Sequence, residues 1–319
     1  MTFWYLDVKQ FISIPGLTLA IYFLLLLLAD LKLLLTFSVC TVTRLGNLRS
    51  FIKQLIIVDK NIQVVGTECN KWLPSILLII HIALLIAVGL VVLDGQLLRF
   101  FHALFHCFID SVVVLQFVAL VLELWIRFCK INTCLLEELY HPEVGVVQLL
   151  PQSPAPACRL RQLRESYVSL GRAAELLGEH FGLPVALDVG LCVLGTTCSA
   201  YELLVMLERP HLMDFLPFSQ SVSLSVLWLA YQTLKLVALT LSCAAAQDVA
   251  ERTGILLRRS PVLPPGISAE MDAFLRVTSR DPPLRFTAWG FVNIDRNLLV
   301  SAFGVVITYL VVISQSLVK

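Results

Sequence analysis

The hydrophobic positions of this chain gather into long runs separated by shorter mixed segments. A helix needs about 20 mostly apolar residues to cross a bilayer. Six runs meet that need: Ile14 to Thr36, Leu73 to Leu93, Phe105 to Trp125, Leu183 to Leu207, Phe218 to Cys243, and Leu298 to Val318. The first is too long for the roughly 7 to 15 residues of a signal-peptide core, has only Lys9 upstream, and precedes no small-x-small cleavage site, so it reads as a span. The fold class is all-α, a polytopic membrane helix bundle.

The segments between the runs carry their own patterns. Leu48, Phe51, Ile52, Leu55, Ile56 and Val58 keep close to a helical period among Arg, Lys and Asp, which predicts a helix lying off the membrane within 41–72. Pro142, Pro151, Pro154 and Pro156 interrupt a stretch with little periodicity, so 141–157 is expected to be disordered. Leu160, Leu163, Tyr167, Leu170, Ala174, Leu177 and Phe181 then alternate steps of three and four, the seam of a heptad helix over 158–181. That seam calls for partner helices, either within the chain or across a subunit interface. The resulting organisation is 1–128 with three spans and the helix within 41–72, 129–181 as a loop, and 182–319 with the remaining three spans, a loop at 244–296 and a last helix at 297–318.

Composition agrees with this division. Hydrophobic residues make up 58% and charged residues 15% of the chain, with a mean hydropathy of +0.83, more apolar surface than a soluble domain hides. Of the 24 lysines and arginines, 18 fall in the loops 41–72, 126–182 and 244–297. The positive-inside rule makes those loops cytoplasmic and both termini extracellular. The nine cysteines sit mostly in spans or these loops without metal-ligand spacing, so a disulfide framework is not expected.

Polar residues inside apolar runs are the candidate chemistry. Tyr309, Ser314 and Gln315 on the last run face either neighbouring helices or water. Asp188 and Lys235 lie inside two other runs and read as a buried pair or as snorkelling charges. His102, His106, Cys107 and Asp110 share a helical face, a weak metal pattern with no second ligand cluster. Asp295 stands where it would cap the last helix and Arg296 where it would anchor at the interface, both structural cytoplasmic roles. No nucleophile–base arrangement, paired-carboxylate motif or phosphate-binding glycine loop stands out, which argues against an enzyme or an ATP-driven transporter and for no cofactor and no metal.

Several strings together carry a resemblance. Thr308-Tyr309 followed by five mostly apolar residues and Gln315 is similar to the signature closing the last helix of insect gustatory receptors, with Ser316 where Phe is usual. The approach Phe286-Thr287-Ala288-Trp289-Gly290-Phe291 through Leu299, the Arg127-Phe128 to Asn132 pattern after the third run, the Phe181-Gly182 pair, and the Cys243, Ala250, Thr253, Leu256, Leu257 track also resemble that family.

The resemblance implies a seven-span chemoreceptor whose first helix is absent here. It implies a ligand-gated, non-selective cation channel subunit in the plasma membrane of sensory neurons, assembling as a homo- or hetero-tetramer with other gustatory receptors and binding no nucleic acid. The last helix would line the pore, with Ile313 and Gln315 nearest the constriction, Ser316 beside them, and Tyr309 lower down coupling to neighbours. A small-molecule tastant would sit in the outer half of the bundle, where His106, Asp110, Tyr201, Trp228 and Tyr231, with Ser111 and Glu202, are the candidates. Leu310 after the Thr-Tyr pair, where the sweet-sensing branch tends to be acidic, favours a bitter-type ligand over a sugar. The alternative is a non-conducting auxiliary membrane subunit, or a truncated relic of such a receptor.

Overall fold

A computed structural model describes residues 27–36, 38, 45–62, parts of 76–87, 97–140, 156–208, 222–260, 265–280 and 284–317. The start of the first expected span, most of the second, and all but the last two residues of the expected disordered stretch lie outside the described residues. The helices are α1 (27–36), α2 (Leu45–Ile62), α3 (Leu97–Tyr140), α4 (Pro156–Glu208), α5 (Val222–Arg258), α6 (Pro265–Arg280) and α7 (Arg296–Leu317). A two-stranded hairpin, β1 (Thr287–Ala288) against β2 (Val292–Asn293), precedes α7, with Thr287 opposite Asn293 and Ala288 opposite Val292.

Three helices outrun the membrane. α4 has 53 residues, which at 1.5 Å each is roughly 80 Å against a hydrocarbon core of about 30 Å. Among the described residues, Cys107–Leu139, Ala157–Leu207 and Ser225–Arg258 are long and apolar enough to span. Each continues without a break into the end of the bundle that carries the basic loops. α4 does so through Pro184, at the cost of the hydrogen bond that a backbone N–H there would have made.

At that basic end the chain builds a dense core. The heptad seam of α4 (Leu160, Leu163, Leu170, Ala174, Leu177 and Phe181) is buried, and it packs with Phe51, Leu55, Val58 and Ile62, which recur at steps of four and three along α2. The seam is therefore covered within the chain. Aromatic rings link the helices edge to face: Phe128 with Tyr167 at 5.6 Å, Tyr167 with Phe274 of α6 at 5.7 Å, and Phe117 with Phe181 at 5.6 Å and with Phe286 at 6.4 Å.

Polar contacts complete the core. Arg127 Nε and Nη2 donate to both carboxylate oxygens of Asp59 at 2.9 and 2.7 Å, the two-pronged geometry that guanidinium favours. Asn132 Nδ2 donates to the Val249 carbonyl at 2.9 Å, and its Oδ1 accepts from Thr253 Oγ1 at 2.7 Å.

Candidate functional site

Four helices each contribute one ionisable side chain to a single buried cluster: Lys32 from α1, Asp110 from α3, Asp188 from α4 and Lys235 from α5. Lys235 Nζ donates to Asp188 Oδ1 at 2.8 Å and to Asp110 Oδ2. Lys32 Nζ donates to Asp188 Oδ1 at 2.5 Å and to Asp110 Oδ1. Side-chain exposure is 2% for Lys235, 4% for Asp188, 9% for Lys32 and 20% for Asp110. Two positive and two negative charges cancel, the condition under which ions persist in an apolar interior. The pair that the sequence suggested, Asp188 with Lys235, is thus half of a larger quartet.

An aromatic and hydroxyl layer adjoins the quartet. Lys235 Nζ lies 5.1 Å from the centroid of the Tyr231 ring, within cation–π range. The Tyr231 hydroxyl lies 2.9 Å from Ser111 Oγ, and both hydroxyls reach the Cys107 carbonyl, at 3.2 and 2.6 Å. Trp228 leans on Tyr231 with ring centroids 5.5 Å apart. Close by on the α4–α5 seam, Thr196 Oγ1 and Gln232 Oε1 are buried without a hydrogen-bond partner among the described residues.

The structure therefore joins Asp110, Trp228 and Tyr231 of the sequence-derived ligand candidates to Ser111 in one neighbourhood. Tyr201 stands apart, 13 positions beyond Asp188 and so roughly 20 Å further along α4. There it is half-buried, next to Glu202, which accepts from Ser225 Oγ at 2.9 Å. The side chains of His102 and His106 lie outside the described residues, and their proposed metal neighbour Asp110 is held by the two lysines. Sequence reading missed Lys32 as a member of the site. Its one signal was a lysine deep inside an apolar run.

The last helix is held differently. Asp295 Oδ1 accepts from the Leu298 N–H at 3.0 Å, capping α7, and Arg296 Nη2 pairs with Asp248 of α5 at 2.5 Å. One stripe, including Ala302 and Val306, is buried against α4 and α5, with a cavity of about 10 Å³ left between them beside Thr196 and Phe303. The opposite stripe is open among the described residues, where Val300 and Ile307 are more than half exposed and Gln315 is exposed; further along the helix Tyr309 and Val312 are more than half exposed as well. The side chains of Ile313, Ser314 and Ser316 lie outside the described residues.

The sequence profile of the 7tm Chemosensory receptor family matches residues 4–316, nearly the whole chain. The chain belongs to that family. Its curated relatives in Drosophila melanogaster include "Gustatory and pheromone receptor 39a, isoform D", 27% identical over 135 residues, covering 42% of this chain and 35% of that protein. "Gustatory receptor for sugar taste 43a" is 25% identical over 162 residues, covering 49% of this chain and 35% of that protein. The alignments thus span about a third of the length of these relatives.

Among solved structures, the insect olfactory receptor OR5 from Machilis hrabei in complex with eugenol superposes with a TM-score of 0.57 at 17% identity, covering 95% of this chain and 82% of that one. At that identity the likeness is one of fold. As a member of this chemosensory receptor family the chain is a multi-pass membrane receptor and not an enzyme. The motif residues that marked it have visible physical work. Arg127, Phe128 and Asn132 bind α3 to α2, α4 and α5. Thr253 completes the Asn132 network. Gly182 admits the hairpin backbone, since a Cβ there would sit 3.2 Å from the Trp289 nitrogen.

Proposed function

We propose that this receptor is a gustatory, ligand-gated, non-selective cation channel subunit. A small organic tastant entering among α1, α3 and α5 at the quartet level opens a pore lined by α7. The observation that carries this reading is the asymmetry of α7: one stripe is packed on the chain and the other, ending in Gln315, is mostly apolar and exposed among the described residues. A fourfold arrangement of such stripes encloses a narrow apolar path of the kind that closes by dewetting. Ile313 and Gln315 lie nearest its constriction, with Ser316 beyond and Tyr309 on the flank.

In this reading the basic end is cytoplasmic, the C-terminus is extracellular, and the protein resides in the plasma membrane of sensory neurons. It works as a homo- or hetero-tetramer with related receptors. The ligand neighbourhood combines Trp228 and Tyr231 with the Ser111 hydroxyl and the part-exposed Asp110 carboxylate, aromatic surface with a few convergent polar groups, the mixture that small-molecule sites use. Leu310 in place of an acidic residue supports a bitter-type ligand ahead of a sugar.

The test is tastant-evoked cation current in cells expressing the chain alone and with related subunits, against bitter compounds and sugars. Current whose ion permeation changes in Gln315→Ala, and whose ligand sensitivity changes in Trp228→Ala, is expected. Surface delivery without current in every combination overturns the reading and leaves a non-conducting auxiliary subunit.

A further inference from the structure

The hairpin between α6 and α7 carries three exposed hydrophobic or aromatic residues around one glycine: Trp289 is 54% exposed, Phe291 80% and Val292 41%. Trp289 and Phe291 lie edge to face with centroids 5.6 Å apart. These side chains do not project because the segment is loose. The Ile294 N–H donates to the Phe286 carbonyl at 2.8 Å and the Phe291 N–H to the Ala288 carbonyl at 3.1 Å. Phe286, Ala288 and Ile294 are buried beneath the tip, and the Trp289 backbone rests on Gly182.

The turn itself uses a costly conformation. Trp289 has φ of 52° and Gly290 φ of 79°. Gly290 bears this freely, but a side-chain-bearing residue in the left-handed region costs conformational energy. The fold thus maintains, against a local penalty, two large rings facing away from its own core. Such a feature calls for an outside partner.

Depth along the bundle identifies the partner. Gly182, on which the tip rests, is the last residue before the apolar half of α4 begins at Leu183, so the tip stands at the edge of the hydrocarbon layer. Tryptophan is the residue that concentrates at this level, with its ring in the acyl boundary and its N–H toward the headgroups. Exposed Arg285, two residues before β1, adds a cation suited to lipid phosphates.

We propose that the Trp289–Phe291 tip is a bilayer anchor, seated in the headgroup layer at the basic end of the bundle. It fixes the foot of α7, which starts four residues beyond Val292 and is tied to the tip through Ile294 and the Asp295 cap. The inference needs the membrane setting of the bundle but not the channel reading.

The test uses the full chain in vesicles of phosphatidylcholine with a minor share of phosphatidylglycerol. Wild type is compared with Trp289→Phe, and the difference between their tryptophan emission spectra isolates Trp289 from Trp4, Trp72, Trp125 and Trp228. The expected difference spectrum is blue-shifted and barely quenched by aqueous iodide. It loses most of its intensity when the lipids are brominated high on the acyl chain, and less when they are brominated near the chain end. A difference spectrum with water-like emission that iodide quenches overturns the proposal. So does a blue-shifted one that no brominated lipid touches, which places the tip against another protein copy. Phe291→Trp supplies the same contrast as a gain of emission, so the outcome does not rest on one variant.

Discussion

The two ends of this receptor are stabilised by different physics. The basic end, where α2, α4 and α6 meet the tails of α3 and α5, is a dense apolar core stitched by aromatic edges and by side-chain-to-backbone hydrogen bonds such as Asn132 to Val249. The membrane end has exposed apolar faces, polar atoms on the α4–α5 seam that lack a partner among the described residues, and four charges for a centre. The contrast follows from the solvent. Burial of apolar area is a driving force in water but not in lipid, where association depends on packing and polar contacts. In the proposed function, the end that must hold still uses the first and the end that answers a ligand uses the second.

The sharpest way to break the membrane end is to remove one charge. Lys235→Met leaves Asp110 and Asp188 sharing Lys32 alone, and a loss of about 3–5 kcal/mol is expected for such an uncompensated buried ion. It should read out as a large fall in thermal stability of the detergent-solubilised protein. Replacing Lys235 and Asp188 together by Met and Leu should recover much of that loss, because each residue's cost is the other's orphaned charge. A double variant as unstable as the sum of the singles would mean that the two charges do not act as a pair.

At the basic end, Phe181→Ala removes a ring that touches Phe117 and leaves a cavity; truncations of this kind cost about 3–5 kcal/mol in soluble cores. The distinguishing measurement is additivity. Combined with Lys235→Met, the two losses should sum within about 0.5 kcal/mol, since the sites share no partner. Gly182→Ala is smaller, about 1–3 kcal/mol, because the new methyl must push the Trp289 backbone, already 3.2 Å away, off its seat. Smallest is Gln315→Ala, an exposed position where stability should move by no more than about 0.5 kcal/mol. An effect on current without one on stability would separate the last helix from both structural regions.

How much of this was legible beforehand depended on how local each signal was. The amphipathic seam from Leu160 to Phe181 and the apolar runs could be read because helical periodicity is a property of neighbours in sequence. So could the helix start at Asp295. The company that Asp110 keeps could not. Counted from the end of its own run, Asp110 belonged to the outer half of one span and Asp188 to the inner end of another, yet the lengths and offsets of α3 and α4 bring them to one level. Lys32 was equally opaque, since nothing near it in sequence names a partner 78 and 156 positions away. The hairpin was legible as a family string but not as a shape, because two-residue strands and a left-handed tryptophan leave no periodic trace.

The order of signs in the quartet has a consequence for biosynthesis. From the N-terminus the four charges run Lys32, Asp110, Asp188, Lys235, so the running total as helices emerge goes from plus one to zero, then minus one, then zero. The insertion machinery thus never has to deliver into lipid a partial quartet carrying more than one unmatched charge. Exchanging Asp110 and Lys235 would keep the finished sum but make the nascent chain hold two excess positive charges until the third helix of the set arrived. That arrangement predicts retention by membrane quality control even where the completed bundle is neutral.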